Sequence, residues 1–346
     1  MKHVLVLGAQ IPFVKGGAEL LNESLLREIN KLEDVTAELV QLPFKWYPEE
    51  QMINDIFSWR LQDFSESNGK KIDLVIPTKF PTYAAEHKNK VLWLVHQHRV
   101  IYDLEGTEYD AWRNQIVRTK VKSLDNKFFK ECRKIFTISE TVSKRLEHYN
   151  HYDSTPLFPP PFLGDKVYAG KYKDRVIYIG RLEPNKRPDL LLDALRYAKK
   201  AKVSIIGKGR SEDRERLMRL IEKYGISDRC EILGYLPEED LLRHLADCRA
   251  LFYAPFDEDY GYATIEAFLA GKPVISCDDS GEVVTFIRRT GSGFISDTDP
   301  RNIASNLVKI YEMSEKELED MGHKGYELAK DITWDKVLKA LVLENL

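Results

Sequence analysis

The sequence predicts an α/β fold in which two doubly wound domains face each other across a cleft. Short apolar runs typical of buried parallel strands alternate with amphipathic helical segments along the chain. This alternation is interrupted over residues 150–164, where Pro156 and a run of three prolines from Pro159 can form neither a helix nor a central strand. Because 346 residues suit two domains, we predict one over 1–160 and another over 165–330.

The composition limits the classes of protein to which this chain can belong. Hydrophobic residues are 43% and charged residues 31%, which indicates a globular protein and excludes a disordered one. A net charge of -3 argues against a surface devoted to nucleic acid. The four cysteines are scattered, with no metal-binding spacing, so we expect reduced thiols, no metal and a cytoplasmic protein. No apolar run has the length of a signal peptide core or a membrane span.

The first strand, starting at Val4, leads into a loop that contains Gly16 and Gly17 and then into a helix. Paired glycines allow the backbone to approach a ligand closely at the end of a strand. The loop lacks the Gly-x-Gly-x-x-Gly fingerprint of dinucleotide sites. A ligand-binding loop and a tight turn without a ligand both remain open.

A later apolar run, Val91 to Val95, ends directly at His96, with His98 close behind. A histidine in this place is either a core residue with satisfied hydrogen bonds or a ligand-binding group at the carboxyl end of a strand. For an isolated histidine the first interpretation is the simpler one, and the position at a strand end strengthens the second.

Between Arg113 and Lys134 the chain carries eight basic residues against two acidic ones. Such a segment can contact anionic lipid headgroups or an acidic acceptor. A solvated helix face is the simpler interpretation.

The second half restarts the strand and helix alternation. A strand from Val176 to Ile179 runs into a loop flanked by Arg181 and Lys186, and a charged helix is predicted from 211 to 224. Two cations beside a helix start can converge on phosphate oxygens. A surface salt bridge is the alternative.

An acidic loop follows the strand around Leu251 and contains Glu258, while Glu266 lies eight positions later, in the first turns of an apolar helix. Ligands of open α/β sheets bind at such strand ends. Carboxylates near a helix start are also stabilised by the helix dipole, so each glutamate alone has a structural explanation.

Taken in order, Gly180-Arg181-Leu182…Lys186 and the Glu-x7-Glu pair Glu258…Glu266 resemble the retaining glycosyltransferases of family four. The resemblance covers nearly the whole chain and implies the GT-B fold, with two Rossmann-like domains. Residues 1–160 would form the acceptor-side domain and 165–330 the nucleotide-sugar domain. A C-terminal helix over 331–346 would pack back on the first.

The resemblance also implies roles for individual residues. Arg181 and Lys186 would hold the donor diphosphate, Glu266 the ribose hydroxyls and Glu258 the sugar hydroxyls. His96 would contact the sugar, with His98 as a nearby rival. The remaining donor contacts would come from Gly16 and Gly17, from Leu236 at the base, and from the backbone of Tyr262, Ala263 and Thr264.

The implied activity is transfer of a hexose from a nucleoside diphosphate sugar to a glycan, glycolipid or small acceptor, with retention of configuration. Asp257-Glu258-Asp259 matches a metal-binding Asp-x-Asp by its letters. Because Arg181 and Lys186 supply cations, we expect metal independence and no cofactor besides the donor.

One motif departs from the family pattern. Where the family has Gly-Gly-x-x-Glu, the loop after Ser280 keeps Gly281 but has Glu282 and Thr285 at the other two motif positions. This departure supports one alternative, a catalytically silent nucleotide-sugar-binding subunit. A second alternative is a GT-B relative that acts without an acceptor, such as a nucleotide-sugar epimerase, although the Glu-x7-Glu spacing favours the transferase.

Overall fold

A computed structural model describes residues 1–13, 16–110 and 112–346. The chain divides into two compact units. Unit 1 contains Met1–Phe162 and Thr333–Leu346, and unit 2 contains Leu163–Ile332.

Unit 1 is built on parallel strands with helices between them. The strands pair in the orders β2-β1-β5 and β6-β7-β8, and a parallel bridge between Val75 and Lys90 links the two groups. β3 and β4 form a small antiparallel hairpin. The strands are β1 Lys2–Gln10, β2 Val35–Pro43, β3 Glu66–Ser67, β4 Lys70–Lys71, β5 Leu74–Pro77, β6 Val91–Leu94, β7 Lys134–Thr137 and β8 Thr155–Pro156, and the helices are α1 Gly17–Ile29, α2 Gln51–Arg60, α3 Gln115–Lys130 and α4 Glu140–Asn150.

The proline-rich segment 150–164 differs in part from a free linker. Its residues Thr155–Pro156 form β8, which pairs only with β7 at the edge of the sheet. An edge strand tolerates proline, because one side of the strand needs no ladder hydrogen bond.

Unit 2 has one sheet of six parallel strands in the order β11-β10-β9-β12-β13-β14. In sequence order this is 3-2-1-4-5-6, the arrangement of doubly wound nucleotide-binding domains. The α/β prediction with parallel sheets is confirmed. The strands are β9 Val176–Ile179, β10 Val203–Ile206, β11 Cys230–Gly234, β12 Ala250–Phe252, β13 Val274–Cys277 and β14 Gly293–Ser296, and the helices are α5 Pro188–Leu195, α6 Ser211–Tyr224, α7 Glu238–Asp247, α8 Tyr262–Leu269, α9 Glu282–Thr290, α10 Pro300–Glu312 and α11 Glu315–Ala329.

The strand order of unit 2 reverses between its two central strands, β9 and β12. Chains leaving the carboxyl ends of these strands diverge to opposite sides, which opens a crevice where ligands of such sheets bind. The loop after β9 carries Arg181 and Lys186, and the loop after β12 carries Glu258. The fold therefore brings both sequence motifs to one place.

The C-terminal segment belongs to unit 1. Helix α12, Trp334–Leu338, continues into a π-helical turn, Lys339–Leu343. The ring of Trp334 lies 6.4 Å from that of Trp93 on β6, and the carbonyl of Asn345 accepts a hydrogen bond from the Asn89 amide at 2.7 Å. Among the described residues, no helix combines the length and apolar character that crossing a membrane requires.

Candidate functional site

The two side chains of the loop after β9 that were predicted to bind phosphate have different surroundings. Lys186 ends a short 3-10 turn, and its ammonium forms an ion pair with the Glu258 carboxylate, both side chains being largely buried. The Arg181 side chain is 61% exposed and pairs with Glu183 at 2.8 Å. Exposed pairs of this kind contribute little to stability, so Arg181 can exchange its partner for a ligand.

A neighbouring cation, Arg187, fixes the acidic loop. Its guanidinium donates to the Ala254 carbonyl at 2.8 Å and to both carboxylate oxygens of Asp279, at 2.7 and 2.5 Å. Planar, two-pronged contacts of this kind hold geometry as well as charge. Sequence reasoning missed this residue, because its partners lie about 70 and 90 positions away.

The altered motif after β13 packs on the same loop. Gly281 has φ +60, and a side chain there would overlap the backbone of Glu258. The next residue, Glu282, donates its backbone N–H to the Glu258 carbonyl at 3.0 Å. The motif therefore keeps glycine at the position where the backbone requires it. Glu282 and Thr285, which occupy the other two motif positions, lie in α9.

Helix α8 supplies the second glutamate of the pair. It begins after Gly261, whose φ is +85, and places Tyr262, Ala263 and Thr264 in its first turn. Glu266 is only 9% exposed, and burial raises the pKa of its carboxyl to about 7. Among the described residues, no cation or donor offsets that burial. The carboxylate is therefore suited to accept hydrogen bonds from the hydroxyl groups of a ligand.

Helix α8 contains another buried polar group. The Thr264 side chain is fully buried, and within the described part of the chain its hydroxyl has no hydrogen-bond partner. Leu236, expected at the nucleotide base, is partly buried and follows the carboxyl end of β11, two strands from β9.

In unit 1, Gly16 and Gly17 form the start of α1, just after β1. The Gly16 N–H donates to the Glu19 carboxylate at 2.9 Å, and the other oxygen of that carboxylate pairs with Lys79 at 2.6 Å. Burial opposes ionisation of Glu19, yet the Lys79 charge and these hydrogen bonds lower its pKa. Lys79, which sequence reasoning missed, thus anchors the glycine loop.

The two histidines after β6 have different surroundings. His96 Nδ1 lies 2.6 Å from the Gln97 carbonyl oxygen. The His98 ring lies in an aromatic cluster, 5.5 Å from Phe80 and 5.2 Å from Trp112, and burial lowers its pKa to about 3. His98 is therefore neutral and packs among aromatic rings, and its buried Nδ1 has no hydrogen-bond partner within the described part of the chain. Of the two histidines, His96 is the one whose ring nitrogen contacts a carbonyl oxygen.

A buried polar chain that the sequence did not reveal holds the His96 loop. Gln97 donates to Asn150 at 2.5 Å, and Asn150 donates to the Tyr102 hydroxyl at 3.3 Å. Tyr102 in turn donates to Asp125 of α3 at 2.7 Å. Burial raises the pKa of Asp125 to about 7.

Some of the basic side chains in the segment 113–134 form ion pairs with acidic residues of unit 1. Arg118 is buried against Asp110 at 2.5 Å, and Lys122 pairs with Glu105 at 2.8 Å. The side chains that remain exposed on α3 include Lys120, Lys127 and Lys130. Across the described residues, no cluster of three or more His, Cys, Asp or Glu is placed to hold a metal ion.

Comparison with known proteins shows what this arrangement is similar to. Residues 166–328 match the protein-family model described as glycosyl transferases group 1. Solved structures align over the whole chain. Sucrose-phosphate synthase from Thermosynechococcus elongatus aligns with a TM-score of 0.81 at 13% identity, covering 99% of this chain and 98% of that one. The chain has the GT-B fold.

Other proteins are similar over all or part of the chain. Anabaena HepE in complex with UDP and glucose aligns with a TM-score of 0.70 at 15% identity, covering 100% of each chain. D-inositol 3-phosphate glycosyltransferase from Mycolicibacterium smegmatis is 26% identical over 171 residues, 48% of this chain and 38% of that protein. The α-1,3/1,6-mannosyltransferase of Dictyostelium discoideum is 30% identical over 105 residues, 30% of this chain and 25% of that protein. The chain thus spans well under two thirds of the curated relatives it matches.

Proposed function

We propose that this chain is a retaining glycosyltransferase that moves a hexose from a nucleoside diphosphate sugar to a glycan, glycolipid or small acceptor. The observation that carries the proposal is the group of side chains at the β9 and β12 strand ends. There the Lys186–Glu258 ion pair accompanies the buried, uncompensated Glu266. All three residues lie inside the region that matches the glycosyltransferase family.

Donor binding would give the buried Glu266 carboxyl hydrogen-bond donors and would give Lys186 and Arg181 new partners. Ribose hydroxyls donating to Glu266 would favour its ionised form and lower its raised pKa. The diphosphate would draw Lys186 from Glu258, which frees that carboxylate for sugar hydroxyls. Arg181 would exchange Glu183 for a phosphate oxygen.

The proposed mechanism follows from the charge that develops during transfer. As the bond from the sugar to the phosphate breaks, negative charge grows on the diphosphate. Fixed cations favour that transition state over the ground state, because the attraction strengthens as the charge develops. We propose that Lys186 and Arg181 fulfil this role without a metal ion. The acceptor hydroxyl would attack the anomeric carbon from the same face that the diphosphate leaves, and a phosphate oxygen of the leaving group would take the hydroxyl proton. This same-face attack would retain the configuration.

Unit 1 would serve the acceptor and the sugar. We propose that His96 contacts the sugar and that Gly16 and Gly17 offer backbone N–H groups to the donor. The exposed lysines of α3 would give a cytoplasmic protein a peripheral contact with anionic lipid headgroups. Co-sedimentation with anionic and neutral vesicles tests this contact, and equal binding to both would contradict it.

Nucleotide binding is the first experiment. Isothermal titration with UDP, GDP, ADP and dTDP should give one preferred base, and the bound ligand should raise the unfolding temperature. UDP is the first choice, since HepE was crystallised with it. Turnover of the matching nucleotide sugars follows. Binding of none of the four, together with no turnover, would overturn the proposal, and an epimerised nucleotide sugar formed without acceptor would indicate the epimerase.

A further inference from the structure

Asp125, on the buried side of helix α3, carries a carboxyl group that the proposed function does not use. The Tyr102 hydroxyl donates to one of its oxygens at 2.7 Å. The Tyr83 hydroxyl also lies beside this carboxyl. Within the described part of the chain, neither that hydroxyl nor the other Asp125 oxygen has a partner at hydrogen-bond distance. Burying a carboxyl group with one hydrogen bond costs stability, so its presence calls for a functional explanation.

The hydrogen bonds that lead away from Asp125 all run in one direction. Tyr102 has a single hydroxyl hydrogen, and donating it to Asp125 leaves the hydroxyl oxygen as an acceptor. The Asn150 amide then presents its NH2 group to Tyr102 at 3.3 Å, and the same group donates to the Asn126 side chain at 2.6 Å. Its oxygen is left to accept from the Gln97 amide at 2.5 Å. Each group therefore sets the orientation of the next, beginning at Asp125.

This polar chain, which consists of Asp125, Tyr102, Asn150 and Gln97, is shielded from water. Asp125 is fully buried, and the other three residues are at most 3% exposed. Hydrogen bonds in such an interior are stronger than in water, and solvent cannot replace one that is lost. The polar chain joins α3 and α4 to the loop after β6, so a change at α3 reaches that loop.

Gln97 connects the polar chain to the His96 ring. Its side chain is held by Asn150, and its carbonyl oxygen lies 2.6 Å from His96 Nδ1. A carbonyl oxygen can only accept, so Nδ1 carries the hydrogen and Nε2 is the acceptor of the neutral ring. An acceptor at Nε2 suits a contact with a sugar hydroxyl.

We propose that Asp125 is a positioning residue for glycosyl transfer. Acting through the polar chain, it fixes the direction of the His96 ring so that Nε2 meets the donor sugar. The inference rests on the proposed function, and Asp125 itself touches no substrate. A ring that can turn makes the productive contact only part of the time, which lowers the rate of the chemical step. The affinity for a nucleotide without a sugar should not change.

Removing one hydroxyl group tests the polar chain. We expect Tyr102→Phe to lower turnover of the nucleotide sugar that the parent uses best by about tenfold, because a misdirected contact loses much of its effect. UDP, which carries no sugar, should bind the parent and the variant equally in isothermal titration. Tyr152→Phe is the matched control, because the Tyr152 hydroxyl donates to the backbone carbonyl of Asn126 at 2.8 Å, outside the polar chain. Its loss should leave turnover unchanged.

Two variants of Asp125 separate its acceptor oxygen from its charge. Asp125→Leu offers no acceptor and should reproduce the loss seen in Tyr102→Phe. Asp125→Asn should keep the turnover of the parent, because its oxygen can accept from Tyr102 while its NH2 group donates to the Tyr83 hydroxyl. Thermal unfolding checks the fold of each variant. If Asp125→Leu does not fold, Tyr102→Phe decides the question.

A double variant distinguishes positioning from a general structural effect. In His96→Phe there is no imidazole to direct, so adding Tyr102→Phe should cause no further loss of turnover. An equal loss in the parent and in His96→Phe would show that Tyr102 supports the fold as a whole, and the positioning role would be wrong.

Three further results would also overturn the positioning role. Parent-like turnover by Tyr102→Phe, with His96→Phe impaired, would reject the role of Asp125 and leave the proposed function standing. Parent-like turnover by His96→Phe would remove the sugar contact that the polar chain is proposed to direct. Absence of nucleotide binding and turnover in the parent would instead remove the proposed function, and the positioning role with it.

Discussion

Glu19 in unit 1 and Glu266 in unit 2 are both largely buried glutamates in the early turns of helices that follow a sheet strand. Glu19 pairs with Lys79 and accepts the Gly16 N–H, and its pKa is lowered. Burial of Glu266 has no such compensation among the described residues, and its pKa is raised to about 7.

The difference separates a buried carboxylate that is paired within the protein from one without compensation among the described residues. A buried carboxylate that is paired stabilises one loop conformation, whereas an uncompensated one costs stability and is retained when a ligand supplies the missing donors. The switch point of unit 2 therefore has the character of a binding site, while the α1 start of unit 1 is already satisfied internally.

The largest effect should come from Lys186, the cation of unit 2 that we propose binds phosphate. We expect Lys186→Met to lower turnover roughly 100- to 1000-fold, because it removes a charge that stabilises the leaving group. Lys202→Met is the control, since Lys202 pairs with Asp174 at the amino end of β10. Steady-state kinetics measures both variants. Turnover by Lys186→Met equal to the parent's would refute the assigned phosphate site.

Breaking the charge pair of unit 1 should affect stability. We expect Lys79→Met to lower the free energy of unfolding by about 3 kcal/mol, because it leaves Glu19 buried without its counter-charge. Adding Glu19→Gln should recover most of that loss. Urea unfolding of the single and double variants gives the coupling free energy between Lys79 and Glu19. Lys31→Met, which removes a cation that is mostly exposed, should cost under about 1 kcal/mol. A similar small loss in Lys79→Met would contradict a structural role for the pair.

Neutralising Glu266 should raise the free energy of unfolding, whereas Lys79→Met lowers it. Its folded pKa of about 7 lies above the ordinary value of 4.5, so the folded state holds the proton more tightly. The parent's stability therefore falls as the pH rises across that interval, and Glu266→Gln lacks this loss. At about pH 8 the variant should be more stable by up to about 3 kcal/mol, at about 1.4 kcal/mol per pKa unit.

The same variant should bind nucleotide about tenfold more weakly, because a charged acceptor for ligand hydroxyls is lost. Thermal unfolding at several pH values and isothermal titration measure the two effects. Glu239→Gln is the control, since Glu239 is exposed in the first turn of α7. A Glu266→Gln variant that is no more stable than the parent at about pH 8 would show that the carboxylate already has a partner.

The smallest effect should come from His98. We expect His98→Phe to change turnover less than about twofold and to leave its pH profile unchanged, because the imidazole is neutral and packs among aromatic rings. His96→Phe should lower turnover under the same conditions. Kinetics between about pH 5 and 8 compares them. If His98→Phe alone altered the profile, His98 would be the functional histidine.

Local patterns were enough to predict much of the fold. The charged helix predicted from 211 to 224 is α6, with the same bounds, because its periodicity and its closing glycine are read within a few residues. The spacing of Glu258 and Glu266 was readable for the same reason. Lys79 and Arg187 were missed because their partners are distant in sequence, and no local pattern predicts which distant residues the sheet order brings together.

The amino-acid sequence by itself determined the alternation of strands and helices, the division near the prolines and the two motifs at the unit 2 strand ends. These depend on periodicity, backbone chemistry and fixed spacing. Only the tertiary structure decided which charges are satisfied: Glu19 by Lys79, Glu258 by Lys186, and Glu266 by no counter-charge among the described residues. Burial and pairing arise from contacts between distant segments, and those contacts make one glutamate structural and the other available to a ligand.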